Sequence, residues 1–115
     1  MRVTTDFWVS ALVRRAFAEG GFAAIARRGS AEAGAVMVVL RGRTGEVRLF
    51  APAPQASYQD SRPEDRQFTE IAGIGDDAEL EKRIDRETRF DSDLWVVEIE
   101  ADPELFTRLI SVTTP

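Results

Sequence analysis

The chain of 115 residues contains neither histidine nor cysteine, is 43% hydrophobic and 30% charged, and carries a formal net charge of −5. It therefore lacks the side chain that titrates near neutral pH, the thiolate nucleophile and the two commonest zinc ligands. Hydrolysis by serine–histidine or cysteine–histidine pairs is excluded within this chain. Since no other catalytic or cofactor motif is present, we expect no cofactor and favour a role other than catalysis.

The length and composition are those of one globular domain, which we expect to span residues 1–115. No stretch approaches the roughly 20 apolar residues that a membrane helix needs. The apolar patch Phe7–Val13 is short and runs directly into Arg14 and Arg15, which is atypical of a signal peptide. We therefore expect a cytoplasmic protein without membrane contact.

Charge is unevenly distributed along the chain. Residues 1–55 hold eight arginines and four acidic residues, whereas residues 56–115 hold seven basic and sixteen acidic residues. Sequence halves rarely occupy separate faces of one domain, so we expect the two halves to interleave and largely neutralise each other.

The first predicted element is a helix that is capped by Thr4-Thr5-Asp6 and ends at Glu19. Gly20-Gly21 is a natural stop, because glycine readily takes the left-handed conformation found after helices. Apolar residues at helical spacing predict one broad buried face. They are Trp8, Val9, Leu12, Val13, Ala16 and Phe17.

Five strands and a second helix follow. Runs rich in β-branched residues predict strands, of which Ala35–Arg41 is the most apolar, and the first three form a meander over residues 22–51. Asp76 caps an acidic helix that ends near Phe90. Residues 55–66 are predicted as a mobile surface loop, and residues 103–115 as a C-terminal tail with at most a helical turn. The strands are predicted at residues 22–28, 35–41, 46–50, 67–72 and 94–100.

The order α-β-β-β-β-α-β predicts an α+β fold, with a mainly antiparallel sheet of four to five strands and two helices. Residues 36–40 are apolar at every position, which indicates burial on both sides of the sheet. Two helices, one with a narrow apolar stripe, are too few to cover both faces. We therefore predict a homodimer in which two sheets or two sheet edges meet. The predicted core or interface residues are Trp8, Leu12, Val36, Val38, Leu40, Trp95 and Val97.

Three segments resemble a bacterial family known as domain of unknown function 1491. They are DFWVSALVRR at residues 6–15, RGSAEAGAV at residues 28–36 and RFDSDLWVVEIE at residues 89–100. The resemblance covers nearly the whole chain in the same order, and the last segment is the most specific. It implies a short, single-domain bacterial protein and supplies no activity, cofactor or site residue.

The densest acidic cluster comprises Asp91 and Asp93 and, on the strand that follows, Glu98 and Glu100. Carboxylates at alternate strand positions share a face, so Glu98 and Glu100 are candidate ligands for Mg²⁺ or Ca²⁺. The alternative is that the aspartates form a turn and the glutamates form the solvated face of a strand, and we favour this alternative.

Arginines at predicted strand ends form the second candidate site. If the strand ends meet, Arg27, Arg28, Arg41 and Arg43 make a cationic patch for phosphate or nucleic acid. No aromatic residue lies among them for base stacking, and the chain is acidic overall, so we expect no nucleic-acid partner.

The sequence thus favours a small, cytoplasmic, non-catalytic binding or interaction domain that forms a homodimer. Two alternatives stay open. One is a carboxylate-based, metal-dependent enzyme or binder that uses residues 91–100, and the other is a phosphate or nucleic-acid binder that uses the strand-end arginines.

Overall fold

The computed structural model describes residues 3–54 and 66–114, so the predicted loop at 55–66 lies outside the described residues except for Arg66. Within these ranges, none of the helices is both long and apolar enough to cross a membrane. In chain order the elements are α1 (Thr5–Ala18), β1 (Phe22–Arg27), β2 (Val36–Arg41), β3 (Val47–Pro52), β4 (Gln67–Ile71), α2 (Asp77–Phe90), β5 (Trp95–Glu100), α3 (Pro103–Leu109) and β6 (Ser111–Val112).

The described strands form one six-stranded mixed sheet in the order β1-β5-β2-β3-β4-β6. The fold is α+β, but the prediction of a mainly antiparallel sheet of four to five strands with two helices is wrong. β5 lies between β1 and β2 and runs parallel to β2, from Val36 opposite Trp95 to Arg41 opposite Glu100. The predicted meander is interrupted at this point, because β1 pairs with β5 and only β2, β3 and β4 remain consecutive antiparallel neighbours.

Helix α1 begins as its sequence predicts. The Thr4 hydroxyl accepts a hydrogen bond from the backbone N–H of Phe7 at 3.2 Å, which satisfies one of the free N–H groups of the first turn. Val9, Leu12 and Ala16 are buried and pack against one face of the sheet. Six of the seven predicted core or interface residues are buried in this same cluster, and Trp8 packs against it partly buried. The six are Leu12, Val36, Val38, Leu40, Trp95 and Val97.

The opposite face of the sheet is covered by α2. Leu80 is buried and Ile84 partly buried against a second apolar cluster, to which β2 contributes Met37 and Val39. Strand β2 is therefore buried on both faces by elements of its own chain. This coverage removes the reason for expecting a dimer that buries an open sheet face, and the homodimer itself stays a prediction.

The segment predicted as a tail forms α3 and β6. Leu105, Phe106 and Leu109 are buried in the cluster beneath α1, and the rings of Phe106 and Phe50 have centroids 4.9 Å apart. β6 pairs in parallel with β4 at the far edge of the sheet. Helix α3 therefore covers the same face of the sheet as α1. No helix was predicted at this position.

Candidate interaction surface

The four acidic residues predicted as a metal site are not gathered into one group. Asp91 accepts a hydrogen bond from the backbone N–H of Asp93 at 3.0 Å, so the two aspartates form a turn before β5. Glu98 lies five residues beyond Asp93, at most about 17 Å along extended chain, and its carboxylate is bound by Arg41 at 2.8 Å. Among the described residues, no group of three or more side chains is placed to hold a metal ion.

The four predicted anion-binding arginines occupy opposite ends of the sheet. Arg27 pairs with Val96 at the start of β5, whereas Arg41 pairs with Glu100 at its end. The separation arises because β1 runs antiparallel and β2 parallel to β5. The strand ends that we expected to meet therefore point in opposite directions.

Arg27 and Arg28, at one end of the sheet, both bind groups of the protein itself. Arg27 donates to the carbonyl oxygens of Ser92 and Leu94, at 3.1 and 3.2 Å. Arg28 forms an ion pair with Asp6 at 3.2 Å, and its guanidinium carbon lies 5.1 Å from the centroid of the Trp95 ring.

At the other end of the sheet, Arg41 pairs with Glu98 and with Asp77. The hydrogen bond to Glu98 raises the pKa of Arg41 the most, and the hydrogen bond to Asp77 raises it further. Arg43 lies exposed in the turn between β2 and β3. Arg41 thus joins neighbouring elements of the fold, and Arg43 faces solvent. Neither forms a common patch with Arg27 and Arg28, which lie at the opposite end of the sheet.

The open edge of the sheet at β1 is a different kind of surface. Residues 22–26 carry no charge and no proline, and in the described chain only β5 pairs with this strand. Pairing is regular from Phe22 to Ile25, and a bulge follows at Ala26. The opposite edge is β6, which has only two residues. Natural sheets protect their edges with short strands, charges or proline, and β1 has none of these protections over residues 22–25.

Exposed aromatic side chains of α1 and β1 lie next to this edge. Phe17 at the end of α1 and Phe22 at the start of β1 meet edge to face, with ring centroids 5.3 Å apart. They are 52% and 46% exposed. Gly20 holds them together in a tight turn, since its φ of +90° is one that other residues rarely adopt. A second exposed phenylalanine of α1, Phe7, is 63% exposed.

The two ends of β1 carry opposite charges. Glu19 precedes the strand, and Glu100 lies opposite Phe22 on β5 and forms no ion pair among the described residues. Arg27 and Arg28 lie at the other end. We name β1, Phe17 and these charged ends together the β1 surface.

Comparison with known proteins assigns the family. A family model described as "Protein of unknown function (DUF1491)" matches residues 3–106. The chain belongs to the DUF1491 family. No curated protein matches the chain.

Solved structures of similar proteins share the DUF1491 fold. The solution structure of a protein from A. tumefaciens is 41% identical, with a TM-score of 0.82 over 100% of this chain and 98% of that chain. A crystal structure of a DUF1491 protein from Caulobacter crescentus is 39% identical, with a TM-score of 0.71 over 88% of both chains. An NMR structure of a Caulobacter crescentus DUF1491 protein is 35% identical, with a TM-score of 0.75 over 98% of both chains.

Sequence reasoning missed the exposure of Phe17 in this DUF1491 chain, because it assigned Phe17 to the buried face of α1. The helical position held the signal. Phe17 lies eight residues after Val9, about 80° around the helix at 100° per residue, while Leu12 and Ala16 lie on the other side of Val9. Phe17 is thus at the margin of the buried stripe, where it adjoins β1.

Proposed function

We propose that this DUF1491 protein is an interaction domain that forms a homodimer through the β1 surface. Two copies of β1 pair antiparallel across a two-fold axis near Ala24, so that two six-stranded sheets become one continuous sheet. The observation that carries the proposal is the open, uncharged edge of β1 beside the half-exposed rings of Phe17 and Phe22. Strand addition at such an edge gains main-chain hydrogen bonds and buries apolar side chains.

The charges on the β1 surface favour a second copy as the partner. In a two-fold antiparallel pair, the first residues of one β1 lie beside the last residues of the other. Glu19 and Glu100 of each copy are thereby brought toward Arg27 and Arg28 of the other copy, twice per dimer. A parallel arrangement would place like charges together, which disfavours it.

Light scattering across a concentration series tests the proposal directly. We expect a mass of twice 12.8 kDa for the natural chain. The Ala24→Lys variant places a charge in the middle of the edge, and we expect it to be monomeric with an unchanged circular dichroism spectrum. The matched control is Val112→Lys at the opposite edge, which should leave the dimer intact.

A cysteine variant tests the geometry independently, since the chain has no cysteine of its own. Mild oxidation of Ala24→Cys should give a covalent dimer in high yield, because the two-fold axis brings the two thiols together. Oxidation of Thr44→Cys, at the exposed turn between β2 and β3, should not. A natural chain that stays monomeric at millimolar concentration contradicts the proposal. So does equal cross-linking of the two variants.

The predicted cytoplasmic location forms part of the same proposal. Its support is the absence of cysteine from the sequence, since disulfides are typical of small secreted domains. Fractionation of the bacterial cell with an antibody to the protein tests it, and recovery in the periplasmic fraction would contradict it.

A further inference from the structure

A groove of about 610 Å³ lies along helix α2, beside the segment 72–74 that follows β4. In the sheet order, β4 is four strands away from β1, so the groove is separate from the β1 surface. Its helical wall carries twice as many cations as carboxylates, although the whole chain has a net charge of −5. The cations are Lys82, Arg83, Arg86 and Arg89, and the carboxylates are Glu79 and Asp85.

Both walls of the groove are held in place by the fold itself. Ile74 is partly buried against the apolar cluster to which α2 contributes Leu80. The backbone N–H of Gly75 donates to Oε1 of Glu79 at 3.1 Å, which ties the segment to the first turn of α2. The groove is therefore formed before a ligand arrives, which lowers the entropy that binding would cost.

Three of the four cations are available to a ligand. Arg83 is compensated, because its Nε donates to Glu87 at 2.9 Å. Lys82, Arg86 and Arg89 are exposed and form no ion pair among the described residues. At 100° per residue they lie within about 60° of one another around the helix.

These three cations form a line along the groove. From Lys82 to Arg89 the helix rises about 10 Å. Lys82 and Arg86 are four residues apart, a spacing at which like charges destabilise a helix. The line therefore costs stability in the free protein, and a bound anion would relieve the repulsion.

We infer that this groove binds an extended acidic peptide segment of a partner protein. Alternate side chains of an extended chain lie on one side, about 6.6–6.8 Å apart. Lys82 and Arg86 are about 6 Å apart along the helix, so carboxylates at alternate peptide positions can meet successive cations. Ala72 and Ile74 offer apolar contact to the remaining side chains.

The two carboxylates of the groove favour a peptide over a nucleic acid. Backbone N–H groups of a peptide can donate to Asp85, which forms no ion pair among the described residues, whereas a phosphate chain has no such donors and would be repelled. No aromatic residue lines the groove within the described chain, so a base would have no ring to stack on. A long polyanion would also run beyond the line of cations onto an acidic protein.

Fluorescence anisotropy tests the inference with a rhodamine-labelled peptide of sequence Asp-Ala-Asp-Ala-Asp, and with Asn-Ala-Asn-Ala-Asn as the reference. We expect saturable binding of the acidic peptide only, and weaker binding as sodium chloride screens the charges. Arg86→Gln, at the middle of the line, should weaken binding roughly fivefold. The matched control is Arg14→Gln, an exposed arginine of α1 without an ion pair among the described residues, which should bind normally.

Three results would overturn the inference. They are equal binding of the asparagine peptide, equal losses from Arg86→Gln and Arg14→Gln, and a thymidine trinucleotide that binds more tightly than the acidic peptide. If Arg86→Gln does not fold, Arg89→Gln takes its place with the same expected loss. The Ala24→Lys variant should bind the peptide as the natural chain does, so the outcome is independent of the homodimer.

Discussion

Arg41 Nε donates to Glu98 Oε1 at 2.8 Å across the parallel pair β2 and β5, and the same guanidinium group reaches Asp77 at the start of α2 at 2.9 Å. One arginine thus joins two strands and the helix that covers them. It also occupies the place beside Glu98 that a metal ion would need. Glu98, the acidic residue at the centre of β5, is therefore engaged in an internal ion pair.

Replacement of Glu98 by Gln should lower the free energy of unfolding by about 1 kcal/mol, because it removes one partner of a pair that is about one-third exposed. Urea denaturation measures the loss. The control is Glu100→Gln, which has no ion pair among the described residues and should be nearly neutral. Millimolar Mg²⁺ or Ca²⁺ should leave the Tm of the natural chain unchanged. An increase in Tm that Glu98→Gln abolishes would instead restore the metal hypothesis.

Gly34→Ala should destabilise the fold by about 2 kcal/mol or more, as overpacked core positions do. A Cβ atom at Gly34 would clash with the carbonyl oxygen of Asp93 and would lie 2.9 Å from Cδ1 of Trp95. Trp95 cannot yield easily, because its ring nitrogen donates to the carbonyl oxygen of Ser30 at 2.7 Å. Thermal unfolding measures the loss.

Gly75→Ala is the matched control for this glycine. Its Cβ would meet nothing closer than 3.4 Å, and its backbone needs no positive φ. We expect it to be neutral or slightly stabilising, since alanine reduces the freedom of the unfolded chain. Equal losses from both variants would show that the contacts with Asp93 and Trp95 are not the cause.

The ion pair between Arg48 and Glu70 should make stability depend on acid pH. Both guanidinium contacts are 2.8 Å long, and they hold the pKa of Glu70 below its usual range. Because the folded-state pKa is lower than the unfolded value of about 4.3, the pair stabilises the fold above that pH. The stabilisation is lost as the pH falls through the folded-state pKa.

We therefore expect the natural chain to exceed Glu70→Gln in stability at pH 7, and the difference to vanish in acid. The difference should stay below about 1 kcal/mol, because both side chains are more than one-third exposed and solvent screens them. Urea titrations from pH 7 to pH 3 measure it. Glu81→Gln, on the exposed side of α2, controls for the loss of a carboxylate alone. A difference that grows toward low pH would contradict the assignment.

Phe106→Ala should cost about 3–5 kcal/mol, the range for a buried phenylalanine. Phe106 is only 3% exposed and packs on Phe50 of β3, although the sequence analysis assigned it to a tail. The exposed neighbour Thr107 provides the control, and Thr107→Ala should change stability little. If Phe106→Ala were equally mild, α3 would not be part of the core in solution.

Local patterns predict the elements of this chain well and their arrangement less well. Thr4 and Asp76 cap their helices as expected, and the apolar run at residues 36–40 is a central strand buried on both faces. These features depend on neighbours in sequence. The position of β5 does not, because a strand of alternating Trp, Val and Ile fits equally well at several places in a sheet.

The separation of the candidate arginines could not be predicted for the same reason. Arg27 and Arg41 both end apolar strands, and only the direction of β5 between them determines that they lie apart. The hydrogen bond from Arg15 to the carbonyl oxygen of Arg108 joins residues more than ninety positions apart in the chain, so no spacing in the sequence indicates it. By contrast, Leu105, Phe106, Leu109 and Ile110 recur at helical spacing, and that signal in the tail was available.

The place of β5 between β1 and β2 has a consequence during synthesis. The ribosome releases β1 and β2 long before residues 95–100, so β1 lacks its only partner strand among the described residues, and β2 lacks one of its two, while most of the chain is made. A nascent chain of which residues 1–90 have left the ribosome would contain two incompletely paired apolar strands. Phe22–Arg27 would have no partner strand, and Val36–Arg41 would be paired on one edge only. This interval is when the protein is most exposed to aggregation and has most need of chaperones, and a shortened gene product that ends before residue 95 should accumulate as insoluble material.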